Sequence, residues 1–187
     1  SEGALLEGLL RLRGGARRTI YLAAGEGEGD PAATEAQGYS GLAAQLRSEG
    51  YDLRDLVLAA QPAVPEDAAA LLVLGPQRAL LPAAAAAVEA WLERGGRLVA
   101  LLEPDVVSGL EEVLARHGFE LPAGTVIDPD VGAIEGGVAG INPVIRAFAN
   151  HPVTRQLGPR AMAFFVRARP VIAAHKPHPD DTLQGLA

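Results

Sequence analysis

Three carboxylates stand where the backbone can bring them to a ligand: Glu26 and Glu28 in Gly25-Glu26-Gly27-Glu28-Gly29, and Asp105 in Glu103-Pro104-Asp105. Two carboxyl groups can divide the work of general acid and general base when their surroundings separate their pKa values. A pair held about 5 to 10 Å apart would suit a hydrolytic or carbohydrate-binding site. The glycines also invite comparison with a phosphate cradle, in which backbone amides meet a pyrophosphate at a helix start. Against it, Glu26, Glu28 and Asp30 would repel phosphate, and no glycine follows at the spacing that leads into a helix. Neutral or cationic groups, or a metal held by carboxylate oxygens, are the remaining ligands of such a loop, and a plain solvated turn is the simplest account of it.

Other chemistry-bearing residues offer less. Neither Ser40 nor Ser108 lies in a Gly-x-Ser-x-Gly elbow that would expose a nucleophile. His117 precedes Gly118 at an expected helix end, where an imidazolium favours the dipole. The pair Glu111-Glu112 reads as solvated helix surface. His178-Pro179-Asp180-Asp181 resembles the zinc motif of LmbE-like sugar deacetylases, but in that family the motif ends the first strand and needs a distant downstream histidine, whereas six residues follow Asp181. The absence of cysteine removes disulfides, thiolate metal sites and cysteine nucleophiles together. The residues therefore give no catalytic group, no metal site and no cofactor.

The elements that must position the carboxylates centre on residues 65–105. Leu71-Leu72-Val73-Leu74 and Leu98-Val99-Ala100-Leu101-Leu102 are unbroken apolar runs, the pattern of strands buried on both faces of a parallel sheet. They are expected to be adjacent and interior. Between them Pro82 suits a first helical turn, and Val88, Trp91 and Leu92 fall at helical spacing before Gly95-Gly96. Upstream, residues 4–13 form an amphipathic lead-in, residues 18–24 a first core strand, and residues 39–50 a helix that Ser40 could cap. Residues 51–58 make a second, more exposed strand. Downstream, residues 106–117 read as a helix, 129–140 as a glycine-rich loop, His151-Pro152-Val153-Thr154 as a turn and 163–174 as a further strand. Strand and helix alternate, which predicts an α/β fold: a doubly wound, mostly parallel sheet with flanking helices, flavodoxin-like, with residues 1–17 as a helical lead-in and 18–187 as one domain. In such a sheet the loops after the strands share one edge. The candidate binding residues on that edge are Gly25, Glu26, Gly27, Glu28, Tyr39, Ser40, Gly75, Pro76, Gln77, Glu103 and Asp105.

The chain of 187 residues is 49% hydrophobic and 21% charged, ordinary globular usage. No apolar stretch reaches the roughly 18 to 20 residues of a membrane span. With no initiating methionine, it is expected to be a fragment of a longer protein. A net charge of −7 gives no general footprint for nucleic acid. Charge is unevenly placed, however: residues 141–178 hold six basic residues and no acid. Such a segment either meets an anionic partner or pairs with acids elsewhere in the chain.

A set of short motifs runs in order: Gly25-Glu26-Gly27-Glu28, Gly38-Tyr39-Ser40, Gly50-Tyr51-Asp52, Val64-Pro65-Glu66-Asp67-Ala68, Leu74-Gly75-Pro76, Gly95-Gly96-Arg97-Leu98, Leu102-Glu103-Pro104-Asp105, Val126-Ile127-Asp128 and His151-Pro152-Val153-Thr154. Their order and spacing resemble those of GldG-like proteins, the gliding-motility type of ABC-transporter-associated component, over most of the chain from Arg18. The family's first loop usually reads Gly-His-Gly-Glu, and Glu26 stands here in place of the histidine. The resemblance implies an extracytoplasmic, periplasmic domain tethered to the cytoplasmic membrane, working in transport beside an ABC permease and ATPase. It also implies a fold similar to class I glutamine amidotransferases, whose nucleophile follows the central strand. Gly75-Pro76-Gln77 occupies that turn here, so the amidotransferase nucleophile is absent. The expected function is non-catalytic binding or assembly; the alternative is a carbohydrate-binding or hydrolytic α/β domain using the crevice carboxylates Glu26, Glu28 and Asp105, and a small ligand or carbohydrate is the other partner expected.

Overall fold

The computed structural model describes residues 18–35, 38–132, 139–173 and 183–185. The expected lead-in at 1–17, the His175 to Asp181 string and residues 133–138 of the 129–140 loop lie outside them. The chain divides between Leu101 and Leu102 into two compact units.

The first unit is a four-stranded sheet in the order β2-β1-β3-β4, parallel at every pairing. β1 (Thr19–Ala23) is rich in β-branched and aromatic side chains and is buried along its whole length. β3 (Ala68–Leu74) lies beside it, and its last four residues are buried on both faces, as the unbroken apolar run predicts. β2 (Asp52–Leu56) forms one edge, polar and half exposed as expected. α1 (Ser40–Ser48) packs on β2, and Tyr39, Leu46 and Leu53 gather on the core face of Ile20, Leu22, Leu72 and Leu74. Leu71 and Val73 point to the opposite face by strand alternation and are fully buried. The crossover helix α2 (Pro82–Glu93) starts at its proline and buries Ala84, Val88 and Trp91, spaced for one helical face. The Trp91 indole lies over Gly96, where any side chain would collide with it.

β4 (Leu98–Leu101) corrects one expectation. It pairs with β3 in register, Leu71 opposite Leu98, but it is an edge strand and not an interior one. Val99 and Leu101 are 48% and 44% exposed. Both project to the face on which α1 packs, and α1 sits at the β2 end of the sheet. An apolar run records that side chains are apolar, not that both faces are covered.

In the second unit, α3 (Glu111–Arg116) is followed by β5 (Phe119–Glu120), which pairs antiparallel with β8 (Ile172–Ala173). β6 (Val144–Ile145) pairs antiparallel with β7 (Ala163–Phe164). The single strand expected over 163–174 is thus two short ones in separate ribbons. Arg167 interrupts it with a left-handed φ of 53° and donates its amide to Asn142 Oδ1. The turn at His151 to Thr154 is present, with the Thr154 and Arg155 amides on the His151 carbonyl. Among the described residues no helix is long and apolar enough to cross a membrane.

Candidate functional site

The strand order places a topological switch point between β1 and β3, since the chain leaves β1 toward β2 on one side and leaves β3 toward β4 on the other. The carboxyl ends of two such strands are where an open α/β sheet forms its crevice. The loops that follow them are Gly25–Gly29 and Gly75–Gln77, so the structure brings these two groups of expected residues together.

What it builds there is a closed knot of loop contacts. Gly29 donates its amide to the Leu74 carbonyl at 2.8 Å, drawing the first loop across the end of β3. The Glu26 carbonyl accepts the amides of Gln77 at 2.9 Å and Arg78 at 3.0 Å. Gly27 has a φ of 81°, and a Cβ added there would stand 3.0 Å from the Gln77 Cβ, so glycine permits both the turn and the approach. The Gln77 side chain folds back to donate to its own loop, at the Gly75 carbonyl, 2.9 Å away. Pro76 is fully buried.

The carboxylates are engaged in this structure. Glu28 accepts the Glu26 amide at 2.8 Å. Glu26 pairs with Arg78 at 3.5 Å, with its own side chain 19% exposed and that of Arg78 68% exposed. The same guanidinium donates to the Gly25 carbonyl. Arg78 is the residue of this site that sequence reasoning missed. Its signal was topological: a lone base after β3 faces the acidic loop after β1 only once the switch point is recognised.

Tyr39 and Ser40 belong to the same loop system through the backbone. Tyr39 lies against Gly29 and donates its amide to the Asp30 carbonyl at 3.2 Å, and Ser40 donates to the Ala33 carbonyl at 3.2 Å. Ser40 does not cap α1, as was expected; Tyr39 holds the capping position and no side chain caps the helix. With loop carbonyls on two of its first amides, the start of α1 has fewer donors to offer an anion. A shallow apolar depression lined by Leu22, Pro31, Tyr39, Leu42, Leu46 and Leu74 among others lies alongside and is too tight to hold a water molecule.

Glu103 and Asp105 fall in the second unit, where the structure gives both a local role. Asp105 pairs with Arg167. The Glu103 carbonyl faces Arg169 at 3.4 Å, and the same guanidinium donates to Val106 O at 3.0 Å and Leu121 O at 3.1 Å and pairs with Glu111 at 3.3 Å. Two of the arginines in the basic segment therefore serve ion pairs within the chain.

Glu111 was expected on solvated helix surface, and this is corrected. It accepts the Ser108 amide at 2.9 Å, the Ser108 hydroxyl at 3.1 Å and the Gly109 amide at 2.9 Å. Ser108 in turn accepts the Leu110 amide at 3.1 Å. The Ser-x-x-Glu spacing was present in the sequence, but it ties the turn ahead of the helix: Leu110 holds the capping position and no side chain caps the helix. Burial pushes the Glu111 carboxyl up, the bonds from Ser108 and Gly109 pull it down further, and the net is below its ordinary 4.5. Among the described residues no group of three or more His, Asp or Glu side chains is arranged to hold a metal ion.

Residues 17–168 match the model of a protein family described as an ABC-type uncharacterized transport system. No curated protein matches the chain by sequence. Among solved structures, the mmIFT52 N-terminal domain is similar with a TM-score of 0.59 at 14% identity, covering 84% of this chain and 69% of that one. At that identity the likeness is one of fold.

Proposed function

Since the chain belongs to the ABC-type uncharacterized transport system family, as an auxiliary component of such a system, we propose that it is a non-catalytic binding and assembly domain. In this reading it is the GldG-like type, stands on the extracytoplasmic side of the membrane, and contacts the permease and ATPase of its transporter. The observation that carries it is the state of the switch-point crevice. An α/β enzyme uses that edge to hold polar groups ready for a substrate. Here Glu26, Glu28 and Gln77 spend theirs on the loops themselves. A loop edge braced by its own contacts offers a fixed surface to a partner, and Arg78 with its exposed guanidinium is the charged feature of that surface.

The test is co-purification of the tagged chain with its cognate permease and ATPase. Arg78→Gln should weaken retention of the transporter while shifting thermal stability little, because the Arg78 end of the pair is exposed and losing such a pair costs about 0–1 kcal/mol. Undiminished retention in the Arg78→Gln variant would remove this edge as the contact surface. Hydrolysis of a glycoside panel by the wild-type chain, lost in Glu26→Gln, would replace the reading with a carbohydrate-active one.

A further inference from the structure

The sheet of the first unit ends on two unlike edges. β2 carries Asp52, Arg54 and Asp55 within five residues, charges of the kind that keep an edge strand from pairing with another chain. β4, at the other edge, is Leu98-Val99-Ala100-Leu101 and carries none. The Leu71 and Gly75 amides donate to the Arg97 and Leu101 carbonyls, so by the alternation of a parallel ladder the amides and carbonyls of Leu98 and Ala100 face away from β3. No described strand takes them up. The exposed Val99 and Leu101 side chains stand together on one face of this open edge.

The sequence around β4 is also self-complementary. A second copy laid antiparallel about Ala100 sets Val99 against Leu101 of that copy, Leu98 against its Leu102, and Arg97 against its Glu103. Opposed residues of antiparallel strands lie on the same face, so Val99 and Leu101 of both copies would cover one another. Neither the Arg97 nor the Glu103 side chain makes an ion pair with a described residue, and the two-fold axis gives each one opposite charge from the other copy, so that the pair forms twice. We propose that β4 is the seam of a two-fold homodimer, in which two copies of this chain join edge to edge into one continuous sheet. The inference rests on the edge and its register, and does not depend on the transport reading above.

Sedimentation equilibrium of the 187-residue chain should give twice its 19.3 kDa mass. Val99→Lys should return it to a folded monomer with an unchanged far-ultraviolet circular dichroism spectrum, since Val99 is half exposed, and its melting temperature should lose the concentration dependence that a dimer shows. Arg97→Glu and Glu103→Arg should each weaken dimerisation by about tenfold, and the double reversal should restore it. Ala100→Cys, in a chain with no other cysteine, lies on the axis and should cross-link to its own copy with a short bismaleimide. A wild-type chain that stays monomeric at every concentration overturns the proposal and leaves the edge to a foreign strand. So does a dimer that survives Val99→Lys and resists the Ala100→Cys cross-link, and failure of the double reversal to rescue overturns the register.

Discussion

Replacing Glu111 with alanine removes four contacts at once: the amides of Ser108 and Gly109, the Ser108 hydroxyl and the Arg169 guanidinium. The bonds to the turn at Ser108 and Gly109 alone are worth about 1 kcal/mol. Arg169 adds more, because its side chain is only 8% exposed and would lose its counter-charge. Stripping one member from a buried pair costs about 3–5 kcal/mol, but Glu111 is 28% exposed and Arg169 keeps carbonyl partners at Val106 and Leu121, so the lower part of that range or less applies. The expected loss is about 2–4 kcal/mol. Native-state hydrogen exchange at the Ser108 and Gly109 amides reads it locally, and should accelerate by roughly 30- to 700-fold at 1.4 kcal/mol per tenfold. A change under about 0.5 kcal/mol, the scatter of ordinary surface substitutions, would refute the reasoning.

The same carboxyl sets a pH dependence. Its folded pKa lies below its ordinary 4.5, so the unfolded chain binds this proton more readily than the folded one. Its contribution is complete above the ordinary glutamate value and is lost as pH falls through the lower folded one. The stability difference between wild type and Glu111→Gln should be constant from about pH 6 to 8 and close on acidification below about pH 4.5. A gap that widens in acid would show that burial, not hydrogen bonding, governs this group.

Three further outcomes follow from the first unit. Tyr21→Phe deletes a bond of 2.9 Å from a buried phenol to Asp67 and should cost about 1 kcal/mol in urea unfolding; because burial and then that bond raise the phenol above its ordinary 10, Tyr21 should resist ionisation in alkaline spectrophotometric titration. Gly27→Ala forces a side chain into a φ of 81° beside Gln77 and should cost about 1–2 kcal/mol by denaturation, with a neutral result contradicting the loop contact. Leu71→Ala at a fully buried position should cost about 2–5 kcal/mol, followed through Trp91, whose 6% exposure predicts native emission typical of an indole out of water.

The sheet was legible where two signals agreed. The runs at 19–23 and 71–74 are apolar, and each is bounded by loop-forming residues, so their burial followed from pattern alone. The run at 98–101 has the same composition, yet its exposure depends on what covers the sheet beyond it. Periodicity carries no information about a neighbour that is not there. The segment 163–173 failed for a different reason: Phe164, Phe165, Val171 and Ile172 favour extended backbone, but a left-handed turn at Arg167, with its amide held by Asn142, divides them. Here a hydrogen bond between residues distant in sequence outweighed local propensity.

At the switch point, sequence reasoning found the glycines and acids but not their purpose. Acidic residues between glycines look like ligands waiting for a cation, and only the strand order reveals that Arg78 and the Glu26 amide already occupy them. The same holds for Glu111, where a Ser-x-x-Glu spacing that marks a helix start was masked by taking the helix to begin at Val106. In both places the side chain's partner is set by how the backbone turns, at Gly27 and at Gly109 through a left-handed φ. A carboxylate in a loop is therefore informative about function only after the loop's own donors have been assigned. Once they are, the unspent interaction capacity of the first unit lies along β4, whose outward amides and carbonyls lack partners among the described strands.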